Sequence, residues 1–195
     1  MKILITGDSF AADWSTKYNK YPGWSSLLEK DFLVKNVAQA GVSEYKILKQ
    51  VKDHYSSDYS FVIVSHTSPS RVHTRRHPVM HNDVLHNNAD LLVNDIMSKN
   101  SWFNSSLKSA KGFFKYHYDE EYYNDIYWLI RKEIDDILGN TRVISICNFN
   151  EVCNNETFNF SKYRYSNPGI INHFDDVANE LIYYQIKKYI NNYEN

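Results

Sequence analysis

An α/β protein on a doubly wound parallel sheet is predicted by three features of the sequence. Short apolar runs recur along the first third of the chain, and stretches of helical period lie between them. The runs are continuous rather than alternating, the pattern of strands buried on both faces. The connections between them are short, as successive βαβ units require.

The first run, "KILIT", reads as a buried parallel strand that stops on "GDSF". "YPGWSSLLEKDF" follows, with Trp24, Leu27 and Leu28 at helical spacing. "LVKNVAQAG" is a second strand ending in a turn of small residues. "VSEYKILKQVKDHY" is an amphipathic helix: Ser43 is its N-cap, Glu44 lies in its first turn, and Tyr45, Leu48, Val51 and Tyr55 share a face. "YSFVIVSH" is the third strand, completing β-α-β-α-β. Residues 66–115 are less regular, with a short helix expected over Ala89–Lys99. A long helix is predicted over about Asp119–Leu138, its buried stripe marked by Tyr123, Ile126, Tyr127, Ile130, Ile134 and Ile137. "RVISIC" is the fourth strand, and "TFNFSKYRY" a fifth strand or an extended loop. "DDVANELIYYQIKKYI" closes the chain as a helix buried through Ala178, Leu181, Ile182, Gln185 and Tyr189. No repeat, linker or second core is expected, so residues 1–195 form a single domain with an irregular insert at about 66–115.

Composition narrows the function classes. A chain of 195 residues is long enough for one self-supporting core. Its formal net charge of −1 gives no reason to expect nucleic acid as a partner. No apolar run approaches the ~18 residues of a membrane span, and the N-terminal apolar stretch is too short for a secretory signal, so a cytoplasmic protein is expected. Cys147 and Cys153 would close only a short loop and are expected to be reduced.

Ligands of open parallel sheets bind outside the carboxyl ends of the strands. Three turns meet there: "GDSF", "AQAGVS" and "SHTSPS", each built of small residues carrying hydroxyls or accessible backbone N–H groups. "GIINHF", just before the last helix, brings His173 toward the same edge. Such a set fits acyl transfer. A serine hydroxyl becomes a nucleophile when an imidazole takes its proton, and the developing oxyanion needs preorganised N–H donors. Ser9 offers the nucleophile and one N–H, and Gly41 a second.

The ordered blocks "ITGDSF", "NVAQAG", a turn after the third strand and a late His followed by "FDDVANELI" resemble the SGNH hydrolase family, the GDSL-type esterases and lipases. The resemblance runs through most of the chain in order and spacing, on short motifs. It implies a three-layer α/β/α, flavodoxin-like sandwich with a parallel sheet of about five strands. It also implies Ser9 as nucleophile, His173 as base, and an oxyanion hole from Ser9, Gly41 and the third block, with Asn36 standing where the family often has an Asn. Two positions depart from the pattern. The third block carries Thr67 and Ser68 in place of the family's Gly-x-Asn-Asp, so either hydroxyl stands in for the Asn donor. The Asp usually found three residues before the His is Ile170, which leaves a Ser-His dyad or an acid from elsewhere. The Thr-Ser-Pro-x-Arg turn also resembles a group of SGNH-like proteins from phages and bacteria, so a phage or virion-associated origin is compatible.

Asp8, Asn36, His66 and Arg71 lie at or beside these turns and are candidate substrate contacts. Asp8 also reads as a turn residue whose carboxylate accepts backbone N–H groups. Asp175 and Asp176 read as caps of the last helix. Arg71, Arg75 and Arg76, with histidines 66, 73, 77, 81 and 86, make a locally basic loop suited to an anionic group on a substrate, or a solvated surface. The i,i+4 histidine pairs raise zinc, but Pro78 interrupts a continuous helix and no further ligand completes a set, so no metal or other cofactor is expected. Phe10 and Trp14 wall an acyl pocket or pack beneath the turn. The expected activity is a serine esterase removing a short acyl group, such as acetyl, from a carbohydrate or similar polar ester. The alternatives are a catalytically weak binding module for a glycan or protein, and an O-acyltransferase using the same Ser-His pair.

Overall fold

The computed structural model describes residues 1–14, 22–79, 88–149, 156–166 and 173–193. Five strands form a sheet: β1 (Lys2–Gly7), β2 (Leu33–Asn36), β3 (Phe61–His66), β6 (Val143–Cys147) and β7 (Phe158–Asn159). Their order is β2-β1-β3-β6-β7, and every neighbouring pair is parallel. Counted within the sheet this is 2-1-3-4-5, the flavodoxin-like order, with its switch point between β1 and β3.

Both faces of the sheet are covered, and the apolar runs are continuous for that reason. Ile3, Ile5, Phe61, Ile63, Ile144 and Ile146 point to one side, where they pack on α1 (Trp24–Leu28) and α7 (Asp176–Asn192) through Trp24, Leu28, Ile182, Ile186 and Ile190. Leu4, Val62 and Val64 point to the other, against Ile47, Leu48 and Val51 of α2 (Glu44–His54) and Ile134 and Leu138 of α5 (Glu120–Leu138). The architecture is therefore the three-layer α/β/α sandwich.

Two helices present different faces from those the sequence indicates. In α2 the buried residues are Glu44, Ile47, Leu48 and Val51, and Tyr45 is exposed. The face rotates because the Glu44 carboxylate has a buried partner, His66, at 2.6 Å. In α7 the core side is Ala178, Asn179, Ile182, Tyr183, Ile186 and Ile190, leaving Leu181 exposed. The i,i+4 row of β-branched Ile182, Ile186 and Ile190 wins the contact with the sheet.

The insert is more ordered than its composition indicates. β4 (Arg71–Val72) pairs antiparallel with β5 (Leu91–Leu92), and α3 (Val93–Ser98) and α4 (Ser105–Tyr116) follow. Val72, Ile96, Leu107, Ala110 and Phe114 make a small core of their own. The strand pair β4–β5 takes the place of the first turn of the helix expected from Ala89. Beyond β7 the chain enters α6 (Ser161–Ser166).

Cys147 is disulfide-bonded and no cysteine among the described residues is free, against the expectation of two reduced thiols. Cys153, the other cysteine of the chain, lies outside the described residues. The entropic cost of closing a loop grows with its length, so a short loop does not oppose a bridge, although the bridge stabilises less. Among the described residues no helix is long and apolar enough to cross a membrane.

Candidate active site

The switch point places the turns after β1 and β3 side by side. Gly7 ends β1 opposite Ser65 of β3. Its φ is +147°, and a Cβ there would lie 2.6 Å from the Ser65 Cβ and 2.7 Å from the Ser65 carbonyl oxygen. Only glycine lets the two backbones approach this closely. The next residue turns inward. Asp8 is buried, and its Oδ1 accepts from the Phe10 N–H at 3.0 Å. Ser9 then projects outward, partly exposed.

That turn is braced along its length. The Asp8 carbonyl accepts from the Ala11 and Ala12 N–H groups, both at 3.1 Å. The Ser9 carbonyl accepts from the Trp14 indole at 2.8 Å, and the Phe10 carbonyl from the Trp24 indole at 2.8 Å. The Ala11 carbonyl accepts from the Asn36 amide at 2.8 Å. Successive carbonyls around Ser9 are thus all engaged, which holds the hydroxyl on a rigid support.

His173 reaches the same place from the start of α7. Asp175 caps that helix, its Oδ1 accepting from the Ala178 N–H at 2.8 Å. The imidazole lies between two rings, 4.8 Å from the Phe10 centroid and 5.0 Å from that of Trp14. Ser9, Phe10 and His173 line two adjoining cavities. The smaller, of about 20 Å³, is partly open and is lined also by Trp14, Gly23, Phe174 and Asn179. The larger, of about 550 Å³, is polar, and Ser68, Arg71, Asn94, Tyr118, Glu120 and Arg164 lie along it. Among the described residues no hydrogen bond directly joins Ser9 to His173. Catalytic hydrogen bonds are often long before a substrate binds.

The other predicted residues separate into two groups. Ser68 lines the large cavity beside Ser9, with its Oγ accepting from the Ser70 N–H at 3.3 Å. Thr67 is fully buried and does not line either cavity; its N–H donates to the Glu44 Oε2 at 3.2 Å. His66 is buried in the same polar cluster, with its Nδ1 against Glu44 and its Nε2 3.0 Å from the Ser145 Oγ. Asn36 spends its amide on Ala11 and its Oδ1 on the Ala38 N–H. Gly41 has φ +75° and does not line either cavity. Its carbonyl accepts from the Arg71 Nη1 at 3.0 Å and from the Asp90 N–H at 2.8 Å.

Of the basic loop, Arg71 lines the large cavity, whereas Arg75 and Arg76 are exposed and line neither. His73 stacks on Tyr45 at 4.7 Å, and His77 bonds its own turn at Val79; His81 and His86 lie outside the described residues. Ile170 also lies outside them. Among the described residues no three His, Cys, Asp or Glu side chains are grouped to hold a metal ion.

Electrostatics around the turn are set by burial. Desolvation raises the Asp8 carboxyl to about 7, against the Phe10 N–H and the charge of Arg71, which favour the carboxylate. Burial also pulls the Arg71 guanidinium below the usual arginine range, opposed by Asp8, Asp90 and Asp95.

Sequence reasoning passed over Asp90, Arg164, Phe149 and Asn148. Asn148, at the end of β6, donates to the Ser65 Oγ at 3.0 Å beneath Asp8. Arg164 stands over Phe149, with the guanidinium carbon 4.8 Å from the ring centroid. Their roles depend on contacts across the sheet and carry no local sequence signal. No protein-family model and no curated protein matches the chain.

Proposed function

We propose that the protein is a serine esterase that removes a short acyl group, acetyl above all, from a carbohydrate or similar polar ester. The observation that carries this reading is the shared position of Ser9 and His173, on a braced turn and a capped helix start, at the junction of a very small cavity and a large polar one. A space of about 20 Å³ has room for a methyl group or one water and favours a short acyl chain over a longer one. The large cavity is sized for a sugar-like alcohol.

In this reading His173 takes the proton of Ser9 as the hydroxyl oxygen attacks the ester carbonyl. The oxyanion that forms is held by the Ser9 N–H and the Ser68 hydroxyl, the two predicted donors on the cavity wall. A donor of this kind contributes about 2.7–4 kcal/mol to such a transition state. The protonated imidazole then gives its proton to the leaving alcohol, which departs through the large cavity. Water, deprotonated by His173, releases the acid and restores Ser9. The flanking rings of Phe10 and Trp14 hold the imidazole in place through both steps.

The test is hydrolysis of 4-nitrophenyl acetate, butyrate and octanoate. Acetate is expected to exceed butyrate by about tenfold or more in kcat/KM, since one methylene in an apolar pocket discriminates by roughly 10–200-fold. Equal rates along the series, or rates unchanged in Ser9→Ala, contradict the reading. The rival, a glycan- or protein-binding module on the same fold, is favoured by the missing third-block Asn and by the lack of a direct Ser9–His173 hydrogen bond.

A further inference from the structure

The turn between α3 and α4 holds two large aromatic side chains out in solvent, Trp102 exposed at 77% and Phe103 at 101%. Met97, near the end of α3, is exposed at 45%. Single exposed apolar residues are ordinary, but neighbouring Trp and Phe on one turn form a patch. The exposure is built into the turn. The Asn100 Oδ1 accepts from the Trp102 N–H at 3.0 Å, and the Ser101 carbonyl from the Asn104 N–H at 3.2 Å. Asn104 caps α4 by accepting from the Leu107 N–H at 2.9 Å, and its amide donates to the Pro78 carbonyl at 3.1 Å. Ile96, Leu107 and Ala110 hold α3 and α4 on their own small core, in which Trp102 and Phe103 take no part.

Charge is segregated around this tip. Residues 96–118 carry four lysines, Lys99, Lys108, Lys111 and Lys115, and no acid, in a chain whose formal net charge is −1. Lys99 pairs with Asp95 at 2.9 Å. Lys111 donates to the Met97 carbonyl at 3.0 Å, which ties the middle of α4 to the end of α3 and leaves the ammonium charge unneutralised. Among the described residues no carboxylate pairs with Lys108, Lys111 or Lys115. Spaced i, i+3 and i+7, the three share a face of α4.

This composition chooses the partner. Protein interfaces are depleted of lysine, and phosphates of nucleic acids are gripped best by arginine. The stretch has no arginine. A lipid–water interface, by contrast, takes aromatic rings at the headgroup level and lysines whose long stems leave the ammonium among anionic headgroups. We propose that the Trp102–Phe103 tip and the lysine face of α4 bind the surface of a bilayer containing anionic lipids. The two rings enter the headgroup layer, and Lys108, Lys111 and Lys115 meet the lipid phosphates. None of these residues lines the cavities at Ser9 and His173, so the surface does not depend on the esterase reading.

The experiment is sedimentation of the whole chain with vesicles of phosphatidylcholine alone, and of phosphatidylcholine mixed equally with phosphatidylglycerol. Binding to the mixed vesicles is expected to be tighter by about tenfold or more, and to weaken as salt is raised. Removing both rings, Trp102→Ala with Phe103→Ala, is expected to cost about tenfold or more. Lys108→Gln costs about fivefold, the share of one lysine near an anionic surface. Thermal unfolding checks that the variants are folded, and Lys108→Gln decides alone if the ring variant is not. No sedimentation with either vesicle, equal affinity for both, or binding unchanged by the substitutions overturns the proposal. So does wild-type protein that binds no vesicle but is dimeric by light scattering and monomeric in the ring variant, which assigns the tip to a second copy of the chain.

Discussion

The backbone N–H of Asp90 donates to the Gly41 carbonyl at 2.8 Å. This one bond links the insert to the turn after β2, and the Asp90 side chain completes the junction by accepting from Ser43, Thr74 and Lys46. Arg71 adds a second link to the same Gly41 carbonyl. The insert is therefore anchored at the edge of the sheet where Ser9 and His173 stand, and it supplies Arg71, Leu92, Val93 and Asn94 to the cavity wall.

Asp90→Ala strands two backbone donors and takes the carboxylate from the largely buried Lys46 ammonium, which keeps only the Asn88 carbonyl. The cost expected is about 3–5 kcal/mol, as for breaking one side of a buried charged cluster. Denaturant unfolding measures it. Asp90→Asn, which keeps an acceptor, should lose less than half as much. Equal losses in the two variants would mean that the carboxylate does not anchor the insert.

Gly7→Ala and Gly41→Ala both force a side chain onto positive φ, but the added methyl meets different neighbours. At Gly7 it strikes the Ser65 backbone; at Gly41 it meets the Ala89 methyl at 2.9 Å. A left-handed conformation alone costs an L-residue roughly 1–2 kcal/mol. Gly7→Ala is expected to cost clearly more than Gly41→Ala, because a backbone cannot give way. The Gly41 variant should be partly rescued by Ala89→Gly. Absence of rescue would contradict the contact.

Burial of Asp8 makes stability depend on pH. Its carboxyl titrates near 7 in the folded protein, because desolvation opposes the charge, and near the ordinary ~3.9 when unfolded. Between those values the folded protein holds a proton that the unfolded chain has lost. Stability therefore falls as pH rises from about 4 to 7 and stays lower above it, by at most about 4 kcal/mol. Asp8→Asn removes this titration. Its melting temperature is expected to rise relative to wild type across that window and to level off above 7; a constant difference at all pH values contradicts the assignment.

How far the fold was legible follows from where each signal is stored. Strands buried on both faces announce themselves in runs such as "FVIV", and the turn chemistry of Gly7, Asp8 and Ser9 is local, so the sheet and the position of Ser9 could both be read. Helix α4 was not read from the sequence, although its Asn104 cap and the helical spacing of Leu107, Ala110 and Phe114 are local signals, because the surrounding irregular composition masked them. The faces of α2 and α7 were not legible. Helix α7 carries apolar or aromatic side chains nearly all round, and in α2 the choice between Tyr45 and Ile47 depends on a distant partner, His66 for Glu44. Arg164 and Asp90 matter only because the fold brings them to residues 15 to 154 positions away, Arg164 to Phe149 and Phe10, Asp90 to Gly41 and Ser43.

The central claim is that the Ser9 hydroxyl is activated by His173. Labelling of the intact protein with a fluorophosphonate, read by mass spectrometry, tests it most directly beside Ser9→Ala and His173→Ala. The account predicts one adduct per chain on Ser9 in wild type and none in either variant. Folded wild-type protein that takes up no probe, or a His173→Ala protein that labels as fast as wild type, would contradict it.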